Sequence, residues 1–333
     1  MQHILVMRGG AIGDVILTLP ALGALRQVFP QASLAVMGNP GRLVLAQHPA
    51  YADELLDIER WDVYRLFSQH ARVSAELATY LGARDMVLAY LPGADGTFAQ
   101  RLRGLCAGQV IVWSPHPTPG WHSSAHLLRP IEAFLSAPYD PCPRVYLDPL
   151  AVAAAEHFWQ TAGLPDTGVI AVHPGSGGPA KLWPLSGWQQ VLAWVAHQHL
   201  PCLIVSGPAE RQRVAALLQG APPYHWPCAE QLPLLHLAAL LARCRVLVGH
   251  DSGITHLAAA VGTTTLALFG PTEPLVWGPR SRQSCVLQPP SAGALTLAAL
   301  PPEVVIEVLT ALWQGTFPFA PSPVDCTILR LPA

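Results

Sequence analysis

The chain has 333 residues, a length that suggests two domains rather than one ordinary core. Hydrophobic residues make up 51% of the sequence and charged residues 12%, which indicates a well-buried globular protein and excludes a disordered one. The net charge is −2, and no run of Lys or Arg occurs. Nucleic acid is therefore not expected as the main partner, because phosphate backbones require a basic surface.

The cysteines and the apolar segments bear on the expected location of the protein. The 7 cysteines are scattered, odd in number and without a C-x-x-C pair, which favours reduced thiols in a cytoplasmic protein over a disulfide framework or a zinc site. The first three residues lead directly into a predicted strand, so no signal peptide is expected. His, Arg or Pro interrupts each apolar run before it could span a bilayer. We expect a cytoplasmic protein with at most peripheral contact with a membrane.

Strands and helices alternate along the first half. Ile4 to Met7 is a predicted buried strand, and a glycine-rich turn then leads to an apolar helix that Asp14 opens and that ends near Pro30. The other predicted strands of this half are 34–37, 54–58, 86–90 and 110–113, and the other predicted helices are 71–81, 99–106 and 125–135. This alternation predicts an α/β fold with a parallel, doubly wound sheet.

The same rhythm restarts after a proline-rich linker at 138–143. Predicted strands lie at 169–172, 202–205, 246–248 and 264–269, and predicted helices at 151–162, 187–197, 210–218, 232–242 and 301–313. The proline-rich tail at 315–333 is predicted to be extended. Two similar α/β halves, with a cleft expected between them, are thus predicted.

The most informative stretch runs from the strand at 246–248 to Gly262. Asp251 and Ser252 are both candidate N-caps for a helix whose apolar residues recur at i, i+3, i+4 and i+7. Unpaired N–H groups at a helix start attract phosphate, and Gly253 lets a ligand approach the backbone. His256 lies on the same helix face as Ser252. The alternative is that Asp251 only caps the helix and His256 is a surface residue.

The first glycine-rich turn places a carboxylate at the carboxyl end of the first strand. Its sequence, from Arg8 through Gly10 and Gly13 to Asp14, matches neither G-x-G-x-x-G nor a Walker A loop. Ligands bind at this edge of open α/β sheets, so Asp14 is a candidate general base for a sugar hydroxyl. The alternative is that Asp14 is a helix N-cap.

Two loops of the second half carry further candidates. Ser176 lies in a glycine-rich loop that could present N–H groups to an anion, and Lys181 adds a positive charge suited to a diphosphate leaving group. Glu210 follows the strand at 202–205 and could accept hydrogen bonds from ribose hydroxyls. The alternatives are a solvated lysine in a surface loop and a glutamate favoured by the helix dipole. His116, His122 and His126 lack metal-ligand spacing, so no metal site is expected.

The four segments, taken in order, resemble glycosyltransferase family 9, the ADP-heptose:lipopolysaccharide heptosyltransferases. The matching residues are Gly13-Asp14, His173-Pro-Gly-Ser with Lys181-Leu-Trp183-Pro184, Gly207-Pro-Ala-Glu210, and Asp251-Ser-Gly-Ile-Thr-His256-Leu-Ala-Ala-Ala. The resemblance implies a GT-B fold of two Rossmann-like domains, an acceptor domain at 1–148 and a donor domain at 149–300. It also implies that a helix at about 301–315 packs back on the first domain.

The resemblance further implies inverting sugar transfer without an essential metal or cofactor. Asp14 would be the base, with Gly10 and Gly13 in the loop near the acceptor. Lys181 and the backbone at Ser252 and Gly253 would hold the diphosphate. The remaining donor contacts would be Asp251 to the sugar, Glu210 to the ribose, Ser176 in the anion loop, and His256 supporting the pocket. The expected partners are a nucleotide-sugar donor, such as ADP-heptose, and a glycan or lipid-linked acceptor.

The sequence departs from the family pattern in two respects, and two alternative functions remain open. The turn has Gly9-Gly10-Ala11 where family members usually carry Ser or Leu, and the first half has only scattered arginines, such as Arg42, Arg60, Arg101 and Arg103. An acceptor other than the usual Kdo-bearing lipid, and a different donor sugar, are therefore open. A nucleotide-sugar epimerase or hydrolase on the same scaffold, or a non-catalytic nucleotide-sugar-binding protein, are the alternative functions.

Overall fold

The chain folds into two compact α/β units. A computed structural model describes residues 1–93, 96–166, 168–222, 224–289, 296–320 and 326–331. The first unit comprises Met1–Pro143 and the second Arg144–Ala333. Each unit is built on one parallel sheet, so the predicted α/β class is confirmed.

The first unit contains a five-stranded sheet in the order β3-β2-β1-β4-β5. Its strands are β1 (His3–Arg8), β2 (Ser33–Gly38), β3 (Glu54–Asp57), β4 (Met86–Tyr90) and β5 (Gln109–Trp113). Its helices are α1 (Ile12–Val28), α2 (Pro40–Leu43), α3 (Ala75–Gly82), α4 (Thr97–Leu105) and α5 (Ser123–Glu132). The strand order reverses between β1 and β4, which makes the carboxyl end of β1 the position where ligands bind in open sheets. The glycine-rich turn lies at that position.

Helix α1 is enclosed by the first unit. Every residue from Val15 to Leu25 is buried, because Leu, Ile, Val and Ala occupy all faces of this segment rather than one stripe. The helix begins at Ile12, earlier than predicted, and Ala11 precedes it without a capping side chain. Asp14 is therefore the third helical residue, and both the prediction that it opens the helix and the N-cap alternative are wrong.

The second unit contains a seven-stranded sheet in the order β12-β11-β10-β9-β6-β7-β8. Its strands are β6 (Ile170–His173), β7 (Cys202–Ser206), β8 (Cys228–Glu230), β9 (Val246–His250), β10 (Thr264–Leu268), β11 (Ser284–Gln288) and β12 (Thr327–Arg330). Its helices are α6 (Pro149–Thr161), α7 (Leu185–His197), α8 (Arg211–Gln219), α9 (Leu234–Arg243), α10 (Gly253–Ala260), α11 (Pro274–Trp277) and α12 (Pro302–Gln314). Because β9 lies between β6 and β10, the loops that follow these three strands emerge side by side.

The sequence prediction omitted three strands of this sheet. β8 and β11 were not predicted, and β12 lies in the tail that was predicted to be merely extended. β12 pairs in parallel with β11, with Cys285 opposite Thr327. The prediction for the tail also covers residues 321–325 and 332–333, which lie outside the described residues.

Helix α12 contributes to the core of the second unit. Its Val305, Leu309 and Leu312 are buried in the same cluster as Trp183 and Trp188. The predicted packing of this helix on the first domain stays a prediction. Within the described ranges, the helices are too short or too polar to cross a membrane.

Candidate active site

Asp14 is the carboxylate at the switch point of the first sheet. Its Oδ2 accepts the N–H of Ala11 at 2.6 Å, and its Oδ1 forms an ion pair with Arg8 Nη2 at 2.9 Å. The side chain is 30% exposed. A carboxylate has about four lone-pair sites, so these two contacts orient Asp14 and leave room for a substrate hydroxyl.

Arg8 holds that carboxylate from inside the unit. Its guanidinium is buried, and Nε donates to Thr18 Oγ1 at 3.0 Å. Burial lowers the pKa of Arg8 below its ordinary value, and the neighbouring Asp14 carboxylate opposes that shift. Arginine stays charged even so, and its bonds along α1 fix the direction in which Asp14 points.

Gly10 is required by the same arrangement. Its φ is +100°, a conformation that side chains rarely adopt, and a Cβ at this position would lie 2.5 Å from Asp14 Oδ2. The Gly10 carbonyl also accepts a hydrogen bond from Arg42. Gly13 is the second residue of α1. The glycine-rich turn thus shapes the space around the carboxylate.

In the second unit, Lys181 and Asp251 form an ion pair. The Nζ–Oδ2 distance is 2.6 Å, and the hydroxyl of Thr272 donates to the same oxygen at 2.6 Å. Asp251 is buried, with 8% of its side chain exposed, whereas Lys181 is 33% exposed. Lys181 ends a short 3-10 turn in the loop after β6, Asp251 follows β9, and Thr272 follows β10. Three neighbouring strand ends therefore supply the cluster.

Ser252, not Asp251, caps α10. The Oγ of Ser252 accepts the N–H of Thr255 at 3.3 Å. The first N–H groups of the helix, beginning at Gly253, have no acceptor within the helix itself. They carry the partial positive charge of the helix start, and Asp251 does not occupy them. The alternative in which Asp251 merely caps the helix is wrong.

Ser176 and His256 lie at or next to this helix, and Glu210 lies against the loop that carries Ser176. The Ser176 hydroxyl donates to the carbonyl of Asp251 at 2.9 Å. His256 is 6% exposed, so it is a buried residue of α10 and not a surface residue. Glu210 precedes α8, accepts the N–H of Gly207 at 3.0 Å, and packs so closely on Gly175 that a Cβ there would overlap it.

Three residues of the cluster were not predicted as site residues. Thr272 donates to Asp251, while His250 and Arg213 hydrogen-bond the loop that carries Lys181. The sequence signal for His250 is its position directly before Asp251 at a strand end. Thr272 has a similar signal, since it follows the Gly270-Pro271 turn after β10, whereas no comparable local signal marks Arg213 within α8. In the part of the chain that the structure describes, no group of three or more His, Cys, Asp or Glu could hold a metal ion.

Solved structures define the class of this fold. The crystal structure of a family 9 glycosyltransferase from Veillonella parvula superposes with a TM-score of 0.80 at 20% identity, covering 94% of this chain and 98% of that one. The structure of E. coli ADP-heptose LPS heptosyltransferase II superposes with a TM-score of 0.74 at 18% identity, covering 95% of this chain and 99% of that one. The two parallel-sheet units are those of a GT-B glycosyltransferase fold.

Sequence comparisons then show which family the second unit resembles. The model of glycosyltransferase family 9 (heptosyltransferase) matches residues 136–293, which include the whole Lys181–Asp251 cluster. Lipopolysaccharide heptosyltransferase 1 of Pseudomonas aeruginosa is 26% identical over 304 residues, or 82% of this chain and 80% of that protein. Residues 136–293 of the chain therefore match glycosyltransferase family 9.

Proposed function

We propose that this protein is an inverting glycosyltransferase that moves a heptose from ADP-heptose to a hydroxyl of a lipopolysaccharide-core-like acceptor. The family and the named activity of the Pseudomonas relative support this proposal. The observation that carries it is the Lys181–Asp251 pair beside the start of α10, where Ser252 caps the N–H of Thr255 and Asp251 caps none. That cluster has the chemistry needed to hold a sugar diphosphate and to receive its departing charge.

The leaving group determines what the second unit must do. When the bond between the sugar C1 and the phosphate oxygen breaks, its electron pair stays on the diphosphate. The Lys181 ammonium has three N–H donors and uses one on Asp251, so it can also donate to a phosphate oxygen. The backbone at Ser252 and Gly253 would bind the same charge. Removing one such donor typically costs about 10²–10³ in rate.

The acceptor determines what the first unit must do. As the acceptor oxygen bonds to C1, its proton passes to the carboxylate of Asp14. A general base contributes about 10²–10⁴ to the rate. Arg8 and the Ala11 N–H hold the carboxylate in place, and the 30% exposure of its side chain leaves it accessible. Gly10 and Gly13 would leave space for the acceptor in front of it.

The other donor contacts are those that the resemblance to the family implies. Glu210 would bind the ribose and Asp251 the sugar, with Ser176 and His256 supporting the loop and the helix around them. Positive charge would come from Lys181 and α10, without a metal or another cofactor. We propose that the protein works on the cytoplasmic side, with at most peripheral contact with the membrane.

A nucleotide panel followed by a transfer assay tests the proposal. ADP should raise the melting temperature more than UDP or GDP, because a ligand that binds the folded state stabilises it by mass action. The purified protein should then add one heptose from ADP-heptose to a lipopolysaccharide-core acceptor, detected by mass spectrometry. Turnover of donor without acceptor would favour an epimerase or hydrolase, and ADP binding without any turnover would favour a binding protein.

A further inference from the structure

The loop from Pro174 to Trp183, called here the lysine loop, is closed at its base by two side chains. His250 bonds the Gly175 carbonyl through Nδ1 at 3.0 Å and the Trp183 N–H through Nε2 at 2.9 Å. Arg213, from α8, donates through Nε to the Pro174 carbonyl at 2.8 Å and through Nη2 to the Trp183 carbonyl. Both ends of the loop are therefore tied together by the same two residues.

The hydrogen bonds of His250 define its tautomer. A backbone N–H can only donate, so Nε2 accepts from Trp183 and the proton resides on Nδ1, which donates to the Gly175 carbonyl. Burial lowers the pKa of His250 to about 3, against the opposing effect of the bond to Gly175. The imidazole is therefore neutral near pH 7 and uses both nitrogens.

Packing prevents the imidazole from moving. Its ring meets Trp188 edge to face at 5.2 Å between centroids, and Trp188 meets Trp183 in the same manner at 5.3 Å. The indole Nε1 of Trp183 donates to the Leu300 carbonyl at 3.0 Å. Since all three rings are fully buried, the base of the lysine loop is part of the rigid core of the second unit.

The position of Lys181 depends on this base. Lys181 is two residues from Trp183, and within the loop its N–H bonds only the nearby Gly178 carbonyl, at 3.1 Å. His250 directly precedes Asp251, so the same strand end sets both partners of the ion pair. A displaced loop base would move the ammonium relative to the carboxylate and to the start of α10.

We propose that His250 and Arg213 are positioning residues, which place the Lys181 ammonium at the site of the departing diphosphate. The inference rests on the proposed function, because it takes Lys181 to act on that leaving group. Neither residue needs to contact substrate. Their effect on transfer would pass through Lys181, whereas a purely structural role would lower stability and leave the rate of the folded enzyme unchanged.

A double-mutant cycle on transfer tests the proposal. His250→Phe keeps a ring and removes both hydrogen bonds, whereas His250→Gln retains an acceptor for the Trp183 N–H. We expect His250→Phe to lower kcat about 10- to 100-fold, with a smaller change in KM, since a misplacement of about 1 Å can cost 10²-fold. His250→Gln should recover most of that loss. In a Lys181→Met background, His250→Phe should lower kcat no further.

Thr263→Val is the matched control, because it removes another buried hydrogen bond of the second unit, from Thr263 Oγ1 to the Leu241 carbonyl at 2.7 Å. It should lower the melting temperature and leave kcat unchanged. If His250→Phe does not yield folded protein, Arg213→Met takes its place in the cycle. The inference is overturned if the two kcat losses multiply in the Lys181→Met background. If Lys181→Met alone transfers at the normal rate, the proposed function itself fails.

Discussion

Lys181 and Asp251 pair at 2.6 Å although 70 positions separate them in the chain. The carboxylate is buried and shared with the Thr272 hydroxyl, whereas a third of the lysine side chain is exposed. Asp251 therefore holds the ammonium at the surface of the cluster, where an incoming anion reaches it. A diphosphate does not have to break this pair, because an ammonium can donate to several oxygens at once.

Lys181→Met should separate catalysis from stability. We expect kcat to fall about 10²–10³-fold with the loss of one donor to the leaving group. The folded state should also lose about 1–3 kcal/mol, since Asp251 would remain buried without its cation. Steady-state transfer kinetics and chemical denaturation measure the two effects.

A second substitution tests the reason for the lost stability. Asp251→Asn in the Lys181→Met protein removes the buried charge and keeps an oxygen for Thr272. The double variant should regain most of the lost free energy of unfolding, and its kcat should stay at least as low as that of Lys181→Met. A double variant as unstable as Lys181→Met would show that the ion pair is not the source of the effect.

Asp14→Asn should slow transfer strongly and spare donor binding. An amide cannot take the proton of the acceptor hydroxyl, so kcat should fall about 10²–10⁴-fold while the ADP-induced thermal shift stays unchanged. Asp53 is a matched control, because its carboxylate also accepts from an arginine, Arg26, and from a backbone N–H, that of Leu34. Asp53→Asn should transfer at the normal rate. If Asp14→Asn transfers at the normal rate, Asp14 is not the general base and its role is structural.

Gly10→Ala should displace the carboxylate of Asp14, because the added methyl group lies next to it. A positive φ costs an alanine about 1–2 kcal/mol, and at Gly10 the new methyl would also collide with Asp14 Oδ2. Gly262→Ala carries the backbone cost alone, because φ is +90° there and a Cβ would meet nothing within 4 Å. Both variants should melt earlier, and only Gly10→Ala should lose transfer. Equal kcat values for Gly10→Ala and Gly262→Ala would show that Gly10 is not needed to position Asp14.

The buried imidazole of His250 makes stability depend on pH. Its folded pKa of about 3 is below the unfolded value of about 6.5, so the unfolded chain binds the extra proton between these values. Stability due to His250 is fully present above about pH 6.5 and is lost as the pH falls towards 3, by at most about 1.4 kcal/mol per pH unit. Denaturation of the wild type and of His250→Gln between pH 4 and 8 measures this difference.

His250→Gln should reduce the pH dependence of the free energy of unfolding without abolishing it. Burial also lowers the pKa of His173, which would keep a residual dependence in the variant. Identical slopes for the two proteins would mean that His250 takes up its proton equally in the folded and unfolded states.

Local signals sufficed for the strand and the helix on either side of Asp251. The apolar run before Gly249 and the apolar face after Ser252 define β9 and α10 within a few residues. β8, β11 and β12 were missed for a physical reason. They are three to five residues long, and pairing with the preceding strand, across an intervening loop or helix, stabilises them rather than any periodicity of their own.

The contacts within the site could not be predicted to the same extent. Asp14, Lys181 and Asp251 carry a local signal, since each is a polar residue in or after a turn at a strand end. Their partners depend on the order of the strands: only the placement of β9 beside both β6 and β10 brings Thr272 and the lysine loop to Asp251. Arg8 could not be assigned because nothing local shows that its side chain turns inward along α1.

The enclosure of α1 bears on how this scaffold can acquire new acceptors. Eleven consecutive residues, from Val15 to Leu25, have no face toward solvent, so the helix cannot tilt or rotate to redirect Asp14 without repacking the interior. If Asp14 is the base we propose, selection for a different acceptor would therefore act on the surface segments that surround a stationary carboxylate, and the place where the acceptor loses its proton would stay fixed.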